Sequence, residues 1–211
     1  MLLRFSDKDL YILEVFNESM AWAPHDGSFG KKIAEFEVEY DEVLKLKELY
    51  KEMYEWAKGW GFESVGPGEP ETLYMELVND KGMRNQHIWW RFERVETKFA
   101  KFFLKIDFQT LAVSDIEIMV NGKKVKTQRG DIIIRVQGWL HLDYKGEWRN
   151  HPFLKHFLNW FIDRWYKKEI DNHKRELWFE VYNLEDTIKQ YLELNTLYDL
   201  PRPFNPPKGV Q

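Results

Sequence analysis

The sequence contains no cysteine among its 211 residues. Disulfide bonds, thiol nucleophiles, iron–sulfur clusters and thiolate zinc sites are therefore excluded. No apolar run approaches the ~18 to 20 residues that a membrane-spanning helix needs, so we expect no membrane insertion. Residues 1–7 contain no sustained apolar segment, and an acidic residue follows already at Asp7. This pattern is not typical of a secretory signal and favours a cytoplasmic protein.

Several catalytic motifs are also missing. The sequence has no GxSxG nucleophile elbow, no phosphate-binding loop, no HExxH pair and no dinucleotide-binding fingerprint. The common hydrolase and nucleotide-dependent chemistries lose support, and we expect no cofactor and no metal site. The formal net charge of −4 also provides no overall attraction to nucleic acid.

Aromatic residues are unusually frequent, at 17% of the chain with 10 tryptophans. This content is enough to build either a very full core or an aromatic-lined pocket. The length and the absence of repeats predict a single α+β domain over residues 1–195. Proline is concentrated near the C-terminus, which predicts an extended tail over residues 196–211.

Hydrophobic periodicity predicts the order of the elements. Alternation predicts a first strand over residues 33–40, and helical spacing predicts a helix that Asp41 caps and Gly61 ends. Alternating apolar and polar residues between 73 and 142 predict several antiparallel strands, since their connections are too short for parallel crossovers. Asn121, followed by glycine, predicts a hairpin turn among them.

The C-terminal third predicts at least one long amphipathic helix. Pro152 suits the first turn of a helix, and a wide apolar stripe follows it as far as Trp165. Such a helix needs a large apolar partner, and the apolar face of the sheet is the predicted one. Residues 176–182 fit a strand by alternation and a helix by spacing, and both interpretations stay open.

The order of strand, helix, antiparallel strands and long amphipathic helix over about residues 33–170 resembles the helix-grip arrangement of START-type lipid carriers and plant pathogenesis-related allergens. The resemblance rests on element order, without a sequence motif. It implies a curved antiparallel sheet of about six strands packed against a long C-terminal helix, with extra segments at both termini. It also implies an apolar ligand between the sheet and the last helix.

Our first functional hypothesis is a binding domain for an apolar small ligand or a protein partner, not evidently catalytic. An apolar ligand would lie between the sheet and the helix that begins at Pro152. Aromatic side chains fill such a space as readily as they line it, so a solid core is the alternative. The predicted ligand-contacting residues are Trp90, Phe102, Leu104, Phe108, Phe157, Phe161 and Trp165.

Trp89, Phe103 and Trp139 fall on the sheet face that is predicted to be polar. Aromatic residues on a wet face indicate a covered surface, and a protein partner or a second copy of the chain would provide the cover. The second hypothesis is therefore a homo-oligomeric structural or interaction protein. The chain's own terminal segments are the alternative cover.

A basic run suggests a nucleic-acid alternative. It comprises Lys123, Lys124, Lys126 and Arg129, and it would contact phosphates while the aromatic residues of the polar face stack on bases. This hypothesis requires the run to lie near Lys101 and Lys105 on paired strands. The acidic net charge argues against it.

A further alternative is an enzyme. His141 and Asp143 are two residues apart on one face of a predicted strand, and Arg135 shares that face. Asp143 would orient His141 as a general base and Arg135 would hold an anion, with His87 joining if its strand lies alongside. This hypothesis predicts that His141, Asp143 and Arg135 line one pocket. A solvated strand face that produces such a pair by chance is the alternative.

Overall fold

The computed structural model describes residues 29–192, except residues 42, 67, 69, 81, 121 and 122. The predicted tail, residues 196–211, lies outside these residues. The described chain forms seven strands and three helices. The strands are β1 (Phe29–Tyr40), β2 (Val43–Leu44), β3 (Glu63–Ser64), β4 (Glu71–Val78), β5 (Arg84–Val95), β6 (Ala100–Val120) and β7 (Lys123–Leu142). The helices are α1 (Leu46–Gly59), α2 (Leu154–Arg164) and α3 (Lys167–Tyr191).

All the strands belong to one antiparallel sheet. The strand order is β1-β7-β6-β5-β3, with β2 also paired to β7 and β4 also paired to β5. Val120 pairs with Lys123, as expected for a hairpin turn at Asn121. The predicted α+β fold, a curved antiparallel sheet packed against a long C-terminal helix, is confirmed.

β6 is one long strand with a bend, whereas the sequence shows two separate alternating runs. Its pairing with β7 shifts between Leu111 and Ser114, and Ala112 has a φ of 52°. Gly130 lies opposite this irregularity, where a Cβ atom would be 2.7 Å from the Cα atom of Val113. Bulges of this kind bend a strand and increase its twist, which contributes to the curvature of the sheet.

Two helices cover one face of the sheet. Leu49, Met53 and Ala57 of α1 are fully buried there, as are Leu177 and Val181 of α3. The alternation predicted from the sequence places the apolar side of each long strand against these helices. From the sheet, the core receives Ala34, Phe36, Val38, Ile88, Trp90, Phe92, Ala100, Phe102, Leu104, Ile106, Phe108, Ile132, Ile134, Val136, Leu140 and Leu142.

Gly138 allows α3 to approach the centre of the sheet closely. A Cβ atom at this position would lie 2.6 Å from Cγ2 of Val181 and 3.3 Å from the side chain of Leu177. Because glycine has no side chain, α3 can pack this closely against β7. No helix among the described residues is both long enough and apolar enough to cross a membrane.

Two predictions about helices are wrong. Helix α1 begins after Lys45 and is not capped by Asp41, because Val43 and the following leucine pair with β7 as a short strand. The long helix on the sheet is α3 rather than the helix that follows Pro152. Residues 176–182, which the sequence left open between strand and helix, lie within α3.

Candidate functional site

The sheet residues of the predicted ligand site fill the space under the helices. Trp90, Phe102, Leu104 and Phe108 are essentially inaccessible to solvent. The ring centroid of Trp90 lies 4.9 Å from that of Phe108 and 4.3 Å from that of Tyr50. Trp90 Nε1 donates a hydrogen bond of 2.8 Å to the Tyr50 hydroxyl, and burial raises the pKa of that hydroxyl. Trp90, Tyr50 and Phe108 therefore contact one another.

The helix residues of the predicted ligand site lie elsewhere. Phe157 and Trp165 are exposed, and the ring of Phe161 stacks on Trp148 at 4.4 Å and contacts Phe99 at 5.5 Å. The prediction that these helix residues lie against the sheet is wrong, because α3 occupies that face of the sheet. The bare backbone at Gly138 accommodates the aliphatic face of α3.

Two recesses open on the surface. The smaller, of about 370 Å³, lies between β1 and α3, and the larger, of about 700 Å³, lies beside the start of α1 and the distal part of the β6–β7 hairpin. None of the predicted ligand-contacting residues lines either recess. The smaller is lined by Ile33, Lys174, Arg175, Trp178 and Phe179. The larger is lined by Lys45, Lys47, Glu48, Asp115, Ile116, Glu117, Lys126, Thr127 and Gln128.

The outer face, opposite the helices, holds the three aromatic residues predicted for partner binding. Phe103 pairs directly with Trp139, and the Nζ atom of Lys105 lies 5.0 Å from the Trp139 ring. Arg91 lies 5.8 Å from the centroid of the Trp89 ring. Burial, followed by the charge of Arg91, lowers the pKa of Lys105. Cationic side chains of the protein thus cover part of this aromatic surface.

The proposed catalytic residues are not brought into one pocket. Arg135 forms an ion pair with Glu37. Arg135 lies six residues along β7 from His141, which corresponds to about 20 Å. Buried Asp143 accepts hydrogen bonds from the backbone N–H groups of Trp148 (3.1 Å) and Arg149 (3.0 Å). Its carboxylate therefore fixes the loop that follows β7.

The histidines predicted to act together also lie apart. His141 is buried, and its ring lies 5.7 Å from that of Phe103. His87 is on β5, which β6 separates from the strand of His141. Burial lowers the pKa of His87. In the described part of the chain, neither β1 nor β6, the two strands that flank the His141 strand, contains a histidine.

The basic run lies far from the outer-face aromatic residues. Lys124 pairs in register with Met119 near the hairpin end, whereas Trp139 pairs with Phe103. The fifteen positions between Lys124 and Trp139 correspond to about 50 Å of strand. Lys124 forms an ion pair of 3.8 Å with Glu117. The structure thus separates the two halves of the predicted nucleic-acid surface.

An exposed aromatic stripe along α2 and the residue at each of its ends is the largest unexpected feature, because the sequence predicted that Phe157 and Trp165 contact an apolar ligand against the sheet. We define the aromatic stripe as Phe153, Phe157, Trp160 and Trp165, with exposed fractions of 74%, 59%, 55% and 72%. The Trp160 and Trp165 ring centroids lie 6.1 Å apart. Leu158 of the same helix is buried. Exposed apolar groups that cluster in this way mark interaction sites.

A polar cluster that is buried on the side of His173 and Glu180 and exposed at Glu176 lies between the end of β5 and α3. We define the polar cluster as Arg94, Glu96, His173, Glu176 and Glu180. Arg94 donates hydrogen bonds to Glu96 and, at 2.8 Å, to Glu180. Burial raises the pKa of Glu180 to about 7. Donor atoms of Glu96, His173 and Glu176 lie within 4.8 Å of one another, a spacing that allows these three residues to hold one metal ion.

The sequence analysis assigned Phe157 and Trp165 to an apolar-ligand site rather than to an exposed stripe, and it did not identify the polar cluster. His173 and Glu176 have the i, i+3 spacing of one helix face, but residues 176–182 were not assigned to a helix. Glu96 belongs to a distant part of the sequence. Only the packing of α3 on the sheet brings these donors together.

Comparisons with known proteins provide no functional assignment. No protein-family model matches the chain, and no curated protein matches it. Among solved structures, the chain is similar to an uncharacterized protein from Rhizobium leguminosarum at 8% sequence identity. That similarity covers 79% of this chain and 97% of the other, with a TM-score of 0.19, which is too low to support an argument.

Proposed function

We propose that this protein is a binding domain for a protein partner with an acidic surface, and that the partner docks on the aromatic stripe. The observation that carries the proposal is the exposure of all four aromatic side chains of the stripe. Tryptophan and phenylalanine, together with arginine, dominate the energetic centres of protein interfaces. The proposal retains the protein-partner hypothesis and moves its surface from the sheet to α2.

The local charge supports an acidic partner. Residues 149–175 contain seven lysine and arginine residues against three aspartate and glutamate residues, a formal charge of +4. The whole chain has −4, so the remainder carries −8. This asymmetry favours the approach of an acidic surface to the segment that contains α2 and the start of α3.

The position of Arg164 favours a protein over a lipid surface. On a helical wheel Arg164 projects between Phe157 and Trp160, in the middle of the stripe. Within the described residues its guanidinium forms no ion pair. Helices that lie on membranes keep cations on the polar flank, whereas a carboxylate of a protein partner pairs with a central arginine.

Site-specific photocrosslinking in the source cells tests the proposal. A photoreactive side chain at position 160 is compared with one at position 178, because Trp160 and Trp178 are similarly exposed at 55% and 51%. The protein crosslinked from position 160 is then purified and its affinity for the full chain is measured by calorimetry. We expect Trp160→Ala to weaken that affinity about tenfold or more, as interface centres do. Trp178→Ala should leave it unchanged.

Two further measurements, one at increasing salt and one with lipid vesicles, complete the test. The affinity should fall as salt is raised, because the interaction is electrostatically assisted. Sedimentation with phosphatidylglycerol vesicles should show no binding. The proposal is overturned by stripe-dependent vesicle binding, by the absence of a crosslink at position 160, or by a partner whose affinity is insensitive to Trp160→Ala.

A further inference from the structure

We propose that Glu96, His173 and Glu176 form a binding site for a divalent transition-metal ion of the zinc type. The three side chains each offer one donor atom, and these atoms lie within 4.8 Å of one another. Donors around a bound zinc ion lie about 2.0–2.2 Å from it, so a modest rearrangement of side chains brings them into coordination. The carboxylate of Glu176 is partly exposed and lies 3.8 Å from His173 and 4.0 Å from Arg94, so only weak contacts oppose that movement.

The buried imidazole provides the second observation. His173 is 9% exposed, and neither Nδ1 nor Nε2 has a hydrogen-bond partner in the part of the chain that the structure describes. The nearest carboxylate oxygen, Oε2 of Glu176, is 3.8 Å from Nδ1. A buried polar group without a partner is costly, and coordination of an ion by a ring nitrogen removes that cost.

The donor chemistry selects the class of ion. Imidazole nitrogen suits zinc and the other late first-row divalent ions, whereas magnesium and calcium prefer oxygen donors alone. One imidazole with two carboxylates leaves a coordination position for water, as in open zinc sites. The site therefore should discriminate zinc and cobalt from magnesium and calcium.

The charge of the surroundings is also suitable. With Glu180 ionised, the polar cluster has three carboxylates and one guanidinium, a formal charge of −2 that a divalent cation neutralises. Arg94 binds Glu96 through its Nε atom and Glu180 through Nη2 at 2.8 Å. This leaves the second oxygen of Glu96 for the ion, and the guanidinium holds the carboxylate in place as outer partners of metal ligands do.

Metal binding would connect two distant parts of the chain. Glu96 directly follows β5, while His173 and Glu176 lie one turn apart on α3. The bound ion would fasten α3 to the turn between β5 and β6. Stabilisation by the ion follows from its binding to the folded chain and not to the unfolded one.

Calorimetry with zinc chloride on the metal-free full chain tests the inference. We expect one zinc ion per chain, a higher midpoint of thermal unfolding, and visible d–d absorption when cobalt replaces zinc. Glu176→Gln should weaken zinc binding about tenfold or more, since it removes a charged ligand at a partly exposed position. His173→Asn should have a similar effect, and circular dichroism checks that both variants are folded.

His156→Ala is the matched control, because His156 is an exposed histidine on α2 outside the polar cluster. Its zinc affinity should equal that of the original chain. The inference is overturned if zinc does not bind at millimolar concentration, if Glu176→Gln binds zinc unchanged, or if His156→Ala abolishes binding. Equal binding of magnesium would also overturn the assignment of the ion class.

Discussion

Trp89 and Trp90 are neighbours in β5 and face opposite sides of the sheet. Trp90 is fully buried beneath the helices, with ring contacts to Tyr50 and Phe108. Trp89 is half-buried on the outer face, where Arg91 lies 5.8 Å from its ring centroid. The same residue type is thus held by close-packed rings on one side and, on the other, by a guanidinium that is itself buried and ion-paired with Asp107. Removing a side chain from close-packed rings lowers the free energy of unfolding far more than removing one held by a cation–aromatic contact.

The two faces also differ in how polar groups are accommodated. On the outer face the ion pair of Arg135 and Glu37 is partly exposed and solvated. On the helix-covered face Glu180 is 2% exposed and depends on Arg94. Substitutions should therefore have large effects under the helices and small effects on the outer face.

Replacing each tryptophan in turn should give the largest contrast. We expect Trp90→Ala to lower the free energy of unfolding by about 3–5 kcal/mol, because it leaves a cavity among aromatic rings. Trp89→Ala should cost about 1 kcal/mol. Urea denaturation of both variants measures the difference. Equal losses would contradict the distinction between the faces.

The stability of the helix-covered face should depend on pH. Burial raises the pKa of Glu180 to about 7; Glu176 and Glu96 act in the same direction and Arg94 opposes them. The folded chain therefore retains a proton that the unfolded chain, with a carboxyl pKa of 4.5, releases. The contribution of Glu180 to the free energy of unfolding is complete below about pH 4.5. Up to about 3 kcal/mol of it should be lost as the pH rises through 7.

Glu180→Gln is the control for this pH dependence, because it keeps an acceptor for Arg94 without titrating. Denaturation at about pH 5 and about pH 8, in the presence of a chelator, should show a smaller decline for the variant than for the original chain. Parallel declines in the two proteins would show that Glu180 is not responsible.

A methyl group at the contact between α3 and the sheet should have an intermediate effect. Gly138→Ala would place its Cβ atom 2.6 Å from Val181, and we expect a loss of about 1–3 kcal/mol from overpacking. Gly59→Ala, at the end of α1 where no atom lies within 4 Å, should be neutral or stabilising by up to about 1 kcal/mol. Thermal unfolding compares the two. A neutral Gly138→Ala would mean that α3 is not seated on β7.

The smallest effect should come from the outer-face ion pair. Arg135→Met should change the free energy of unfolding by less than about 1 kcal/mol, since partly exposed ion pairs contribute little. A double-mutant cycle with Glu37→Gln isolates the coupling. A coupling well above 1 kcal/mol would show that the outer face is more rigid than the exposed side chains indicate.

Local pattern alone was sufficient for most of the sheet. Alternation in residues 33–40 and in the long strand that ends at Leu142 separates apolar from polar residues without reference to any other part of the chain. The same alternation predicted that Trp89 and Trp90 face opposite sides. The hairpin that joins β6 to β7 is equally local. These features follow from the two-residue period of a strand and from turn chemistry.

Tertiary structure decided which helix covers the sheet and where the candidate sites are. An apolar stripe such as that of Phe157 and Trp165 indicates that a helix can bury a face, but it does not specify the partner, and α3 fits the bare backbone at Gly138. Glu96 and His173 become neighbours only through that packing. Contacts between residues far apart in sequence depend on shape complementarity over the whole interface, which the periodicity of a single segment does not encode.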